Sequence, residues 1–486
     1  MGRTGRKLTA ALGTGGMWLL FTAPSLAAGG GGGGGGTSSL EILLLLVAVV
    51  GVGYLVAHLL LERVAEKFGL VTGVEYIVLG AIVFRVIIAP IIGSDDATAA
   101  EQIGTLMRQL GPVLLLGTGS LGLLWGTHAD FRNLDEIDRA SMGPALAMSL
   151  VTFGVVAGVP ALVIPYFYSL EYLYNVTPLL ICAGAIAMVA GDDPIRSMVT
   201  FLGAEGVAPV VAARAAGICS WLAIIAFGLL FCIDHPPTDP GHPAHILGTG
   251  PMAWLGWLVI HVILGVALGI IFGTFLRRDF SDEKILTVVI GMVVFTSGIA
   301  YGLTLSPIFV NFVLGVVLIN TCRHGDHVRK MLDSIKHPLY IVLFIFAGAE
   351  LNPNVPLWAW ALAGPFLLLR LAGRWLGGLV SQIQLPSQPR IPSLHRVLFA
   401  PGALSIAMSL DFLTVYLDRY GGREGPFFGT AQDVQSFYAS MIVAVLVSEI
   451  LSYALTRSWL IDAADVSPDR EEDSDEPRDF RDMEVG

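Results

Sequence analysis

Residues 176–194 read VTPLLICAGAIAMVAGDDP, and the fold turns on how that run ends. An apolar segment stops at Gly191, two carboxylates and a proline. Pro194 lacks a backbone donor and clashes with the preceding turn, so a helix entering this stretch breaks there. Such a segment is short against the roughly 20 residues that cross a bilayer. Short apolar helices interrupted by Gly or Pro mark binding sites in polytopic transport proteins.

The rest of the chain supports a membrane setting. Of 486 residues, 54% are hydrophobic and 14% charged, against about 25% charged in a soluble domain. So few charges cannot cover a water-facing surface, which excludes a soluble enzyme. Residues 461–486 hold eleven Asp/Glu and three Arg, so −8 of the net −11 is local to the tail. The acidic balance offers no basic face for nucleic acid. Cys182, Cys219, Cys232 and Cys322 show no C-x-x-C spacing and read as small apolar residues.

Thirteen apolar segments lie near 40–61, 72–92, 108–127, 143–164, 176–192, 207–233, 251–275, 285–304, 306–320, 338–351, 357–380, 396–417 and 437–457. The expectation is an all-α polytopic membrane protein with about 13 transmembrane helices, spanning 40–457 in the lipid bilayer. Alternate loops carry Arg63 and Lys67; Arg132 and Arg139; Arg196; Arg277, Arg278 and Lys284; Arg323 to Lys336; and Arg390 and Arg396. The loops between them lack Lys and Arg, save 418–436 with Arg419 and Arg423. This bias places the N-terminus outside and the C-terminus in the cytoplasm of the cell membrane.

At the N-terminus, residues 1–28 run from Arg3, Arg6 and Lys7 through an apolar stretch to Ala27-Ala28. That is the layout of a secretory signal peptide, with an uncleaved helix as the alternative. Residues 29–39 are a Gly-rich linker. Residues 458–486 read as an acidic, disordered cytoplasmic tail.

A charge at the bilayer centre costs about 2.5–3.5 kcal/mol on insertion scales, so each needs a reason. Asp192 and Asp193, beside the break at Gly191 and Pro194, either bind a dehydrated cation or a proton, or open the loop that contains Arg196. Arg370 and Arg374 lie four apart on one helix face, as counter-charges for a buried carboxylate, with Arg374 alternatively snorkelling to water. Glu350 either reaches that site or faces outer water. Asp411, His58, His261 and Arg85 read as isolated polar groups. The loop with Asp234, His235, Asp239, His242 and His245 is stiffened by proline and fits no zinc spacing. No nucleophile elbow, metalloprotease helix or nucleotide loop occurs, so neither a catalytic site nor a cofactor is expected.

Several stretches resemble the monovalent cation/proton antiporter superfamily, in particular its Kef-like sodium/proton exchanger branch. They are Gly73 to Gly80; Leu110-Gly111-Pro112 through Gly122 to Asp130-Phe131-Arg132-Asn133-Leu134; Gly298 through Ser306-Pro307 to Gly315; His337-Pro338 to Gly348 and Leu351; and Ala400-Pro401-Gly402-Ala403-Leu404. They follow in order over roughly 40–457. The resemblance implies inverted repeats, two discontinuous crossing helices, an ion site at the crossing, and a homodimer. By the same resemblance Asp193-Pro194 is the first break, Gly348 the second, and Arg370 the basic residue of a late helix.

One departure matters. The helix from Arg214 to Ile224 places Cys219 and Ser220 where the family carries its Asn/Asp-Asp pair. Ser220 offers a lone pair but does not titrate near neutral pH. The expected function is a secondary active transporter, not an enzyme, exchanging sodium, or else potassium, for protons. Two alternatives are a transport-impaired homologue acting as a sensor or partner-binding subunit, and a uniporter or channel-like potassium pathway.

Overall fold

The structure, a computed structural model, describes residues 73–82, 96–132, 136–204, 206–235, 253–276, 282–322, 325–352, 355–384, 393–420 and 431–463. The expected signal peptide, glycine linker and first span fall outside these residues. So do His58, Arg85, most of the 234–250 loop and the tail beyond Ala463.

The chain is all-α among the described residues. Helix α1 (Val74–Ile82) is followed by α2 (Asp96–Thr127) and by α3 (Glu136–Phe153), which passes through a π-turn at Gly154–Gly158 into α4 (Val159–Phe167). Next come α5 (Leu170–Met188), α6 (Asp193–Leu202), α7 (Val207–Ile233), α8 (Ala253–Phe275) and α9 (Asp282–Gly302). The second half holds α10 (Pro307–Thr321), α11 (Gly325–Ala349), α12 (Leu357–Ala361), α13 (Ala363–Gln384), α14 (Leu394–Val397), α15 (Gly402–Tyr420) and α16 (Ala431–Ala463).

Local chemistry sets several of these ends. The Ser306 hydroxyl accepts the Phe309 N–H and Pro307 fills the first turn of α10, while Ser169 accepts the Tyr172 N–H at α5. Helix α6 closes on Gly203 at φ +58°, a left-handed C-cap.

Among the described residues seven helices are long and apolar enough to cross a membrane, and α10 and α15 are shorter apolar helices. Leu162, Ile263, Phe275 and Leu368 stand exposed on their outer faces. So much exposed apolar surface suits lipid, not water, and the chain is a polytopic membrane protein. Close backbone approach holds the bundle together. A Cβ on Gly122 or Gly126 of α2 would stand 2.2 Å from a carbonyl oxygen of α10, that of Ile308 or Phe312. Small residues at helix contacts bring backbones together where lipid offers no competing hydrophobic drive.

Three sequence expectations need correction. Helix α11 continues unbroken through Gly348 to Ala349. Gly348 is there because a Cβ would lie 1.9 Å from the Ile77 carbonyl oxygen of α1. It is a packing glycine, and the second break lies elsewhere. Segment 325–337, read as loop, is the first half of the same helix. The last helix also runs past residue 457 to Ala463, because Trp459 and Leu460 are buried, so the acidic tail begins later than 458.

Candidate functional site

Two helices break and cross at backbone level. The first stops at Met188, passes through Val189-Ala190-Gly191-Asp192, and resumes as α6. The second stops at Val397, passes through Leu398-Phe399-Ala400-Pro401, and resumes as α15. The Gly191 N–H donates to the Ala400 carbonyl at 2.8 Å. A Cβ on Gly191 would stand 3.1 Å from the Gly402 Cα, and Gly402 sits at φ +66°. Glycine serves at both positions because the two backbones touch and one is left-handed.

A broken helix exposes carbonyls at its C-terminal end and N–H groups at its N-terminal end. Here each end meets the opposite charge, as the helix dipole favours. At the end of α5, Arg374 Nη2 donates to the carbonyls of Ala187 (3.1 Å), Met188 (2.6 Å) and Val189 (2.8 Å). Arg370 Nη2 adds a second bond to Val189 at 2.9 Å. The Ser220 hydroxyl donates to the Ala190 carbonyl at 2.7 Å. All three side chains are wholly buried. The carbonyls from Ala187 to Ala190 therefore already have protein donors. Neither arginine takes part in the ion pairs formed among the described residues, and Arg374 is buried and does not snorkel. Arg370 lies over the Phe399 ring, 5.2 Å from its centroid, and its Nε and Nη1 are buried without a hydrogen-bond partner among the described residues.

The N-terminal ends gather carboxylates. Asp192 precedes α6 and Asp193 is its first residue. Asp192 accepts from Arg196 Nε at 3.0 Å, and Asp193 from Lys336 Nζ at 2.6 Å. At α15 the Gly402 N–H donates to Glu449 Oε2 at 3.3 Å. A cavity of about 350 Å³ opens at the crossing, lined among others by Gly191, Asp192, Asp193, Tyr340, Gly402 and Glu449. A second space of about 160 Å³ shares Asp192, Asp193, Trp125 and Tyr340 with it, and adds His128, Asp333 and Lys336. There His128 Nε2 stands 3.2 Å from Asp333 Oδ1. The smaller, charged space thus adjoins a pocket that also holds the buried Glu449.

Of the residues singled out in the sequence, Gly191, Asp192, Asp193, Pro194, Ser220, Arg370 and Arg374 come together at the first break. Glu350 does not. It lies 14 positions after Lys336, and most of that separation is α11, placing it about 20 Å along the axis from the Asp193 contact. Asp411 accepts from the Ser306 hydroxyl at 2.7 Å, at the start of α10. His261 Nδ1 is 2.9 Å from the Trp257 carbonyl within its own helix. The four cysteines are unpaired and buried. Among the described residues no cluster of three His, Cys, Asp or Glu side chains suits a metal ion.

Glu449 and Lys336 were missed. Glu449 carries the same signal as the other intramembrane acids, one carboxylate in an apolar run. Lys336 was counted as a loop charge, and only the extension of α11 brings it to Asp193.

Two broken helices thus cross at their unwound centres inside an apolar bundle. Among the solved structures of similar fold is that of the sodium proton antiporter MjNhaP1 from Methanocaldococcus jannaschii, with a TM-score of 0.61. The superposition covers 87% of this chain and 99% of that one at 13% identity, a likeness of fold. No protein-family model and no curated protein sequence matches the chain.

Proposed function

We propose that the chain is a secondary active transporter of the monovalent cation/proton antiporter type, exchanging sodium, or secondarily potassium, for protons. The observation that carries this reading is the crossing itself: carboxylates at the N-terminal ends of two half-helices face one cavity. The shared fold with a sodium proton antiporter supports it. Asp193 binds the transported ion, with Asp192 beside it. Lys336 balances Asp193 when no cation is present. Arg370, Arg374 and Ser220 hold the break open by occupying its carbonyls, and Ser220 is not a lining residue of the cavity.

The cycle is competition for one site. A proton arriving on the carboxylate releases the cation, and alternating access follows as one inverted repeat moves against the other. The chain sits in the cell membrane with its N-terminus outside and its C-terminus in the cytoplasm, and works as a homodimer. The Lys/Arg bias of the loops supports the orientation, and the family resemblance supports the dimer.

In proteoliposomes carrying a pH-sensitive dye, Asp193→Asn should lower sodium-dependent proton flux at least tenfold. Unchanged flux with an unchanged pH profile would remove Asp193 from the site. Wild-type protein inert toward sodium, potassium and lithium would favour the transport-impaired alternative, for which the serine at position 220 is the specific motive.

A further inference from the structure

The helix beside the first break has no acid to offer: Ser220 is buried and its hydroxyl is donated to Ala190. An exchanger nevertheless needs a group that holds a cation and a proton in turn. Of the ordinary side chains, carboxylates do both at accessible pH.

Glu449, on α16, meets the need from another helix that lines the cavity. It is 7% exposed, lines the pocket that Asp193 lines, and lies at the N-terminal end of α15. A carboxylate has about four acceptor sites, and the one hydrogen bond it receives among the described residues, from the Gly402 N–H, is long at 3.3 Å. Glu449 forms no ion pair among those of the described residues. Arg370 attracts it and Asp193 repels it, both at longer range. A carboxylate buried with so little compensation requires a proton or a cation, and the cavity of about 350 Å³ against it has room for a partly hydrated alkali cation. Arg370, buried with two nitrogens unpartnered, keeps the region from becoming strongly negative when the cation leaves.

We propose that Glu449 is the second cation- and proton-binding carboxylate of the crossing, acting with Asp193 in the role that Ser220 cannot fill. The proposal rests on the exchange reading above. The ion lies between the two acids. On protonation an O–H bond forms at Glu449, its negative charge is lost, and the cation departs to the open side, one positive charge for another. The other titratable groups on this cavity are Glu75 and Tyr76 from α1, Asp192 at the first break, and His337 and Tyr340 from α11.

The test is protection of Glu449 from dicyclohexylcarbodiimide, which modifies protonated carboxyls in apolar surroundings, read by peptide mass spectrometry on the purified full chain. Sodium chloride, against choline chloride at equal ionic strength, should slow labelling of Glu449 at least tenfold. Asp193→Asn should raise the sodium concentration needed for protection at least tenfold. Labelling indifferent to sodium, or absent at every pH, overturns the proposal. In parallel, Glu449→Gln, which keeps an oxygen for the Gly402 N–H, should abolish exchange, and Glu449→Asp should retain it with a displaced pH profile. Glu449→Gln exchanging with an unchanged profile also overturns it. Wild-type protein that exchanges while Glu449 is unprotected refutes Glu449 alone. Wild-type protein that does not exchange, yet shows sodium-protected Glu449, refutes the exchange reading and leaves the binding residue standing.

Discussion

Nη2 of Arg374 lies within hydrogen-bonding reach of three carbonyls, and without it those of Ala187 and Met188 lose a buried donor. An unsatisfied buried group costs about 1–3 kcal/mol. Arg374→Ala should therefore destabilise the protein by about 2 kcal/mol or more, with Arg374→Lys intermediate because an ammonium lacks the fork that spans several acceptors. Thermal unfolding in detergent, followed by tryptophan fluorescence, checks the order; equal midpoints for all three proteins would contradict it. Ser220 makes the opposite kind of contribution. Ser220→Ala removes one hydrogen bond, worth about 1 kcal/mol, and should leave the pH profile of exchange where it was. A displaced profile would show that Ser220 belongs to the ion site.

Helix breaks were readable in the sequence where covalent chemistry marks them. Pro194 and the acids before it mark the first, and the structure puts the break at Val189 to Asp192. The second was assigned to Gly348, because a glycine in a short apolar run looks the same whether it breaks a helix or admits a neighbour. Only the approach of Ile77 decides between them. The run Ala400-Pro401-Gly402 reads in the sequence as a motif and not as a break, although proline followed by glycine is the stronger breaker. Of the site, the charges near the first break were recognised; Lys336 was not, since its placement depends on how far α11 extends. The same contrast yields a stability prediction. Gly348→Ala forces a Cβ against backbone and should cost about 2 kcal/mol or more. Gly298→Ala, in α9, meets no described atom within 4 Å and should be neutral or stabilising by up to about 1 kcal/mol. Unfolding midpoints of the two variants test this, and a Gly348→Ala protein as stable as wild type would contradict the packing of α11 on α1.

Across the bundle, composition was enough to assign the membrane and helical class, because 14% charge leaves no alternative surface. It could not order the helices in space, which depends on contacts between segments far apart in sequence. The Gly191–Ala400 bond joins residues more than 200 positions apart. That crossing, with acids at the helix N-termini and arginines at the C-terminal end of α5, is what turns an apolar bundle into a candidate ion carrier. The central claim is exchange of a monovalent cation for protons. Purified wild-type protein in proteoliposomes with an imposed proton gradient, read by an internal pH dye while sodium, potassium and lithium are added in turn, tests it most directly. The account predicts saturable dissipation of the gradient by at least one of these cations, sodium above all, with choline inactive. A gradient that no cation disturbs, or one that collapses equally with choline, would contradict it.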